Sequence, residues 1–240
     1  MQDLFAHAQP FQPYGIGSAE VPDVPAHALR EGRFHRVPVI SGSTRDEHRL
    51  FVGLFRVSAG QPVTETQYPA LLAEAFGEHA DQVQAQYPLS DYPSPNLAWA
   101  SVLTDRMWAR STFQQHRLLA ELVPTYAYEF ADRYAPMYLP FPEDFPPGAF
   151  HAADVPFLFP DQPFQTGCTP DQRRLSDQMI RYWANFAHGG DPNGAELPPW
   201  NSFDSARSMP HVQSLAPGTG GVRSVDYADE HHLDFWSDLP

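Results

Sequence analysis

The sequence predicts an α/β protein with a few mostly parallel strands, flanking helices and long proline-rich loops. Three features point to it. Val37-Pro38-Val39-Ile40 is a short apolar, β-branched run bounded by small residues, which is the pattern of a buried strand in a parallel sheet. A second strand-like run, Tyr126–Ala131, lies downstream, and apolar residues recur at helical spacing elsewhere. Finally, 26 prolines among 240 residues imply long connections and broken helices.

The elements follow in order. Residues 1 to 36 are proline-rich and polar, with little periodicity. Val21-Pro22-Asp23-Val24-Pro25 reads as extended, because a residue before proline is pushed out of the helical region. Ala26–Glu31 reads as a short helical turn before Gly32. So long a loop passage is expected of a chain that begins in mid-fold. The strand at Val37–Ile40 runs into Ser41-Gly42-Ser43-Thr44 and then two carboxylates, Asp46 and Glu47. His48–Val57 (Leu50, Phe51, Leu54, Phe55) and Glu65–Phe76 (Tyr68, Leu71, Leu72, Phe76) carry apolar residues at helical spacing.

Pro93–Leu122 is the longest helix candidate, with Ser94 as cap and Pro95 at its first position. Its apolar face is Trp99, Val102, Leu103, Met107, Leu118, Leu119 and Leu122. The strand at Tyr126–Ala131 comes next. Residues 132 to 150 are irregular, with Pro136, Pro140, Pro142, Pro146 and Pro147. Thr169-Pro170-Asp171 opens another helix with a cap, a proline and an acid in the first turn. Its face is Leu175, Met179, Tyr182, Trp183 and Phe186, and it stops at Gly189-Gly190. Met209–Leu215 reads as a last strand and Asp229–Leu239 as a terminal helix.

Composition narrows the function. The chain has 42% hydrophobic residues and 13% aromatics, which excludes a disordered chain. A formal charge of -14 with no basic patch argues against nucleic acid and anionic membranes as partners. No apolar run approaches the roughly 20 residues of a membrane span. The single cysteine, Cys168, permits no internal disulfide and reads as a small buried hydrophobe. Met1–His7 lacks the basic and apolar regions of a signal peptide, so a cytoplasmic location is expected. No cofactor is expected either.

The order of chemistry-bearing residues is informative. One strand delivers Asp46 and Glu47; a later strand is followed by a loop that reaches His151. In open α/β sheets, ligands bind beyond the carboxyl ends of the strands. Acid before histidine is the order of an α/β-hydrolase triad, whose nucleophile precedes both. A histidine near pKa 6.5 can take a proton from a nucleophile and return it to a leaving group.

The stretches V-P-V-I-S-G-S-T-R-D-E, Y-A-Y-E-F, G-A-F-H-A-A-D-V-P-F-L-F, N-F-A-H-G-G-D-P-N-G and D-F-W resemble the type-B carboxylesterase, or cholinesterase-like, family. They occur in that family's order and correspond to its C-terminal half only. The resemblance implies the C-terminal portion of an α/β-hydrolase fold over residues 1–240, acting on a small-molecule carboxylic ester through an acyl-serine intermediate. It implies Glu47 as the triad acid, since the family uses the second member of its D-E pair, with Asp46 as the rival. It implies His151 as the base. His48 stands where the family usually has glycine and is expected to pair locally with an acid. Asp154 reads as a helix-start or hydrogen-bonding residue outside the triad.

Other residues have plainer readings. His188-Gly189-Gly190-Asp191 looks like an oxyanion loop but sits at a helix end, so a C-cap is expected. His231-His232 suggests a metal, yet adjacent helical residues do not share a face, so surface is expected. No G-x-S-x-G occurs: Gly15-Ile16-Gly17-Ser18 has the wrong order, and Gly42-Ser43 lacks the second glycine. A triad needs a hydroxyl on a strained turn and backbone donors for the oxyanion. The expectation is therefore a fragment or split half of an ester hydrolase, inactive alone, with one strand edge left open. The alternative is a non-catalytic cholinesterase-like binding protein.

Overall fold

The computed structural model describes residues 15–19, 21–159 and 167–239; the N-terminal stretch Met1–His7 lies outside them. The chain divides into two compact units, Met1–Val37 and Pro38–Pro240. In the first unit, helix α1 (Pro25–Arg30) opens on a proline and closes with Arg30 in its last turn, close to the expected Ala26–Glu31. Arg33 pairs with both Asp23 and Glu31.

The second unit is built on a four-stranded sheet in the order β1 (Val39–Thr44), β2 (Thr125–Phe130), β3 (Val212–Leu215) and β4 (Arg223–Val225). The first three strands are mutually parallel, and β4 runs antiparallel on β3. β4 has no counterpart among the expected strands. In the register, Ser43 lies opposite Glu129 and Thr44 opposite Phe130, so β1 and β2 end side by side. Their following loops therefore start as neighbours.

The first strand sits further along the chain than expected. Val37 is 56% exposed, while Ser41-Gly42-Ser43-Thr44, read as a turn, forms the body of β1. Gly42 explains the small residues: a Cβ there would lie 2.3 Å from the Tyr128 carbonyl oxygen on the adjacent strand. Close strand approach, not a turn, selected glycine. Val39 and Ile40 are only half-buried, because β1 is an edge of this sheet.

Between β1 and β2 the chain is helical. A short turn of α-helix, α2 (Arg49–Phe51), widens into a π-helix at Val52–Val57. Helices α3 (Tyr68–Phe76) and α4 (Ala80–Gln86) follow. The expected long helix is one run of three pieces: α5 (Pro95–Leu103), a π-helical segment Thr104–Ala109, and α6 (Arg110–Ala120). Ser94 caps α5 by accepting from the Leu97 N–H. The i→i+5 turns of the π segment shift the helical phase. That is why Met107, expected on the buried face, is 52% exposed, whereas Ala109, His116 and Leu119 are buried.

After β2, residues 132–154 form the irregular proline-rich loop, which ends in α7 (Val155–Leu158). Helix α8 (Pro170–Gly189) opens with a reciprocal capping box between Thr169 and Gln172 and closes on Gly190 in the left-handed conformation. The C-cap expectation for His188-Gly189-Gly190 is met. The terminal helix is broken in two, α9 (Tyr227–Glu230) and α10 (Leu233–Ser237), with His231 and His232 at the break.

Both faces of the sheet are covered. Tyr126 and Phe130 of β2 pack with Phe150, Phe157, Leu175, Met179, Tyr182 and Trp200 on one side. Ala127 packs with Phe203, Val212, Val225, Tyr227 and Leu233 on the other. Fully burying one such side chain contributes about 1.5–3 kcal/mol. This alternation puts the odd-numbered Glu129, wholly buried, on the face of α9 and α10.

Candidate active site

Two loops meet above the ends of β1 and β2, and backbone hydrogen bonds stitch them together. Asp46 N–H donates to the Ala149 carbonyl at 2.9 Å, and Ala149 N–H donates back to Asp46 Oδ2 at 3.0 Å. His151 N–H donates to the Glu47 carbonyl at 3.4 Å. Gly148 permits the close approach. Its φ is +60°, and a Cβ there would stand 2.5 Å from Asp46 Oδ2.

The stitch brings Glu47 to His151. His151 Nδ1 and Glu47 Oε2 are 2.6 Å apart. A carboxylate only accepts, so Nδ1 carries the proton and Nε2 keeps a lone pair when the ring is neutral. Glu47 Oε1 accepts from the Thr44 N–H at 2.7 Å, which fixes the carboxylate against the end of β1. Glu47 is 4% exposed, whereas the His151 side chain is 41% exposed. The hydrogen bond to Glu47 holds His151 above its ordinary pKa, against an opposing effect of burial. Among the described residues, His151 Nε2 has no hydrogen-bond partner.

Asp46, the rival acid, is committed elsewhere. Arg133 grips it with two bonds of 2.9 and 3.0 Å, and Arg49 adds a third contact at 3.0 Å. It braces the loops and leaves the imidazole to Glu47. Asp154 accepts from the Tyr128 hydroxyl at 3.1 Å and precedes α7, matching its expected role. Burial raises the Asp154 carboxyl above its usual range, and its charge adds to the elevation of His151.

His48 does not pair with an acid. Its Nδ1 accepts the Trp108 indole N–H at 3.2 Å. Burial, then the neighbouring His151 charge, pull it down to about 4. Cys168 is half-buried, and burial pushes its thiol up.

The larger correction concerns His231, read as a surface residue. It is buried, with Nδ1 2.6 Å from Asp105 Oδ1 and Nε2 2.6 Å from Glu129 Oε1. The expected helix breaks beside it, with His232 in the left-handed conformation at φ +51°. Burial is the strongest single influence on His231 and opposes its charge. The two carboxylates outweigh it and raise the imidazole to about 10. Asp105 also accepts from the Tyr87 hydroxyl at 2.7 Å, which in turn accepts from the Trp236 indole at 2.7 Å. One signal in the sequence was available: Glu129 is a charge inside a buried strand, and such a charge demands a partner.

A cavity of about 470 Å³ opens beside this network, lined in part by Arg45, Asp46, Arg49, Asp105, Arg133 and His231. His151 does not line it. The charged groups of the cavity wall pair with one another: Arg45 with Glu230, Arg49 and Arg133 both with Asp46, and His231 with Asp105. Among the described residues, no cluster of three or more His, Cys, Asp or Glu side chains has the arrangement of a metal site. No described helix is long and apolar enough to cross a membrane.

Comparison with known proteins gives the family. The chain is 27% identical over 255 residues to cocaine esterase of Homo sapiens, covering 98% of this chain and 43% of that protein. It is 28% identical over 198 residues to acylcarnitine hydrolase of Rattus norvegicus, covering 77% of this chain and 35% of the relative. Over 97 residues, 38% of this chain and 16% of the relative, it is 40% identical to carboxylesterase 5A of Mus musculus. The chain thus spans less than half the length of these relatives, and its small mixed sheet with flanking helices is that of a partial α/β-hydrolase. A profile of the carboxylesterase family matches residues 2–236, and the chain belongs to that family.

Proposed function

We propose that Glu47 and His151 are the acid and base of a serine-esterase triad that hydrolyses small-molecule carboxylic esters. The nucleophile and oxyanion donors come from polypeptide outside these 240 residues. The observation that carries this is the 2.6 Å contact between a buried carboxylate and a half-exposed imidazole with an open second nitrogen. The names of the relatives, an esterase and a hydrolase among them, support the reaction class.

In the complete site, Nε2 of His151 takes the proton of a serine hydroxyl as its oxygen attacks the ester carbonyl. Glu47 holds the tautomer and stabilises the imidazolium that forms. The same proton passes from Nε2 to the departing alkoxide, which leaves as the alcohol. Water then repeats the cycle on the acyl-serine: its proton goes to Nε2, its oxygen to the acyl carbon, and the acid departs as the serine is reprotonated.

The isolated chain is expected to hydrolyse a nitrophenyl ester no faster than the solvent background. Joined to the remaining part of a family member, it is expected to gain turnover that His151→Ala abolishes and Glu47→Gln lowers by on the order of 10⁴-fold, the cost of a wrong tautomer. Brisk hydrolysis by the chain alone, lost in His151→Ala, would show that it holds its own nucleophile. Restored turnover indifferent to both substitutions would remove the pair from the mechanism. An intact Glu47–His151 bond counts against a purely non-catalytic binding role.

A further inference from the structure

The His151 imidazole has neighbours besides Glu47. The Trp108 ring lies 5.0 Å from it, centroid to centroid, and the Phe51 ring 5.5 Å. These two rings stack on each other at 5.8 Å with an interplanar angle of 14°. Trp108 is itself tethered, since its indole N–H donates to His48 Nδ1 at 3.2 Å. His48 is anchored twice more. Its backbone N–H donates to Thr104 Oγ1 at 3.0 Å, and its ring lies 5.0 Å from Phe51.

Thr104 and Trp108 both belong to the π-helical segment Thr104–Ala109. One widened turn therefore delivers both contacts to the residue that follows Glu47, and such turns recur at functional sites. An indole N–H can only donate, so the tether needs a bare lone pair on His48 Nδ1. The half-buried position of His48 supplies it by disfavouring the charged ring.

We propose that Trp108 is a positioning residue for the general base and that His48 is the latch holding it in place. The inference rests on the assignment of His151 as that base. The indole and Phe51 pack against the imidazole at 5.0 and 5.5 Å, which restricts the ring to the rotamer that bonds the carboxylate. Preorganisation of this kind is what a catalytic base requires of its supporting residues.

The test reads the bond directly, without ester turnover. In the full chain with ¹⁵N-labelled histidine, NMR follows exchange of the His151 Nδ1 proton with water. Trp108→Phe keeps a ring but removes the donor; His48→Ala removes the acceptor; His48→Gln keeps an oxygen able to accept. Exchange is expected to quicken on the order of fivefold in the first two, as for one net hydrogen bond lost, and to recover in the third. Backbone amide spectra report whether each variant folds. If Trp108→Phe does not fold, the two His48 variants carry the test. Unchanged exchange in folded His48→Ala overturns the proposal. Absence of any Nδ1 proton bonded to Glu47 in the unsubstituted chain instead overturns the acid–base assignment.

Discussion

Two histidines in this protein make the same first contact and differ in what their second nitrogen meets. His151 and His231 each place Nδ1 2.6 Å from a carboxylate oxygen. His151 keeps its other nitrogen open on a side chain 41% exposed. His231 gives its other nitrogen to Glu129 and is buried. The first is raised above the usual histidine value; the second is lifted to about 10 and stays charged at neutral pH. A carboxylate partner fixes a tautomer, but only an open second nitrogen allows a proton to move in and out. The pair at β1 keeps such a nitrogen, and the His231 network is a structural clip joining the π segment, β2 and the break between α9 and α10.

The widest separation between the two is expected in stability. His231→Ala strands two buried carboxylates and should cost on the order of 3–5 kcal/mol. His151→Ala strands one buried carboxylate, which keeps the Thr44 N–H, and should cost less, about 1–3 kcal/mol. Urea unfolding of both variants checks this, and similar midpoints would erase the distinction.

The next largest effect is alkaline. Because the native pKa of His231 is raised to about 10 from about 6.5 in the unfolded chain, its contribution is complete below pH about 6.5. It is lost as pH climbs through about 10. Unfolding midpoints should fall across that window, and the fall should flatten in His231→Ala if that variant folds.

The opposite sign belongs to His48 and buried His116, each drawn down to about 4, chiefly by burial. Their neutral forms support the fold above pH about 6.5, and that support is lost as pH drops through about 4. His116→Met should lessen the acid slope measured by thermal unfolding. The smallest effect is local: Asp154→Asn removes a charge that elevates His151, so an NMR titration should find the His151 pKa lowered. An unmoved value would leave Glu47 as the only acid acting on the base.

The sequence made the exchangeable pair legible and hid the clip. Strand-then-acid and strand-then-histidine are local patterns, and each candidate sits a few residues past a strand end. The clip draws on Asp105, Glu129 and His231, which no spacing rule connects. Asp105 hides in a π segment whose phase shift also misplaced Met107. His231 sits at a break in what the spacing predicts as one terminal helix, where the chain turns through His232 at φ +51°. β4 was missed because Arg223-Ser224-Val225 is too short to show alternation. The start of β1 slipped because small residues chosen for strand approach look like turn residues.

The stitch between Asp46 and Ala149 has an evolutionary corollary. The histidine is located from both sides: by the bonds at residues 149 and 151, and by the proline-rich excursion, whose Tyr138 hydroxyl donates to the Ala152 carbonyl at 2.9 Å and whose Tyr138 and Phe141 rings lie 5.7 and 5.0 Å from Phe150. Insertions or deletions between Tyr134 and Pro146 that displaced those rings would disturb the residues flanking the imidazole, so divergence in this segment is confined to positions that leave the two rings in place.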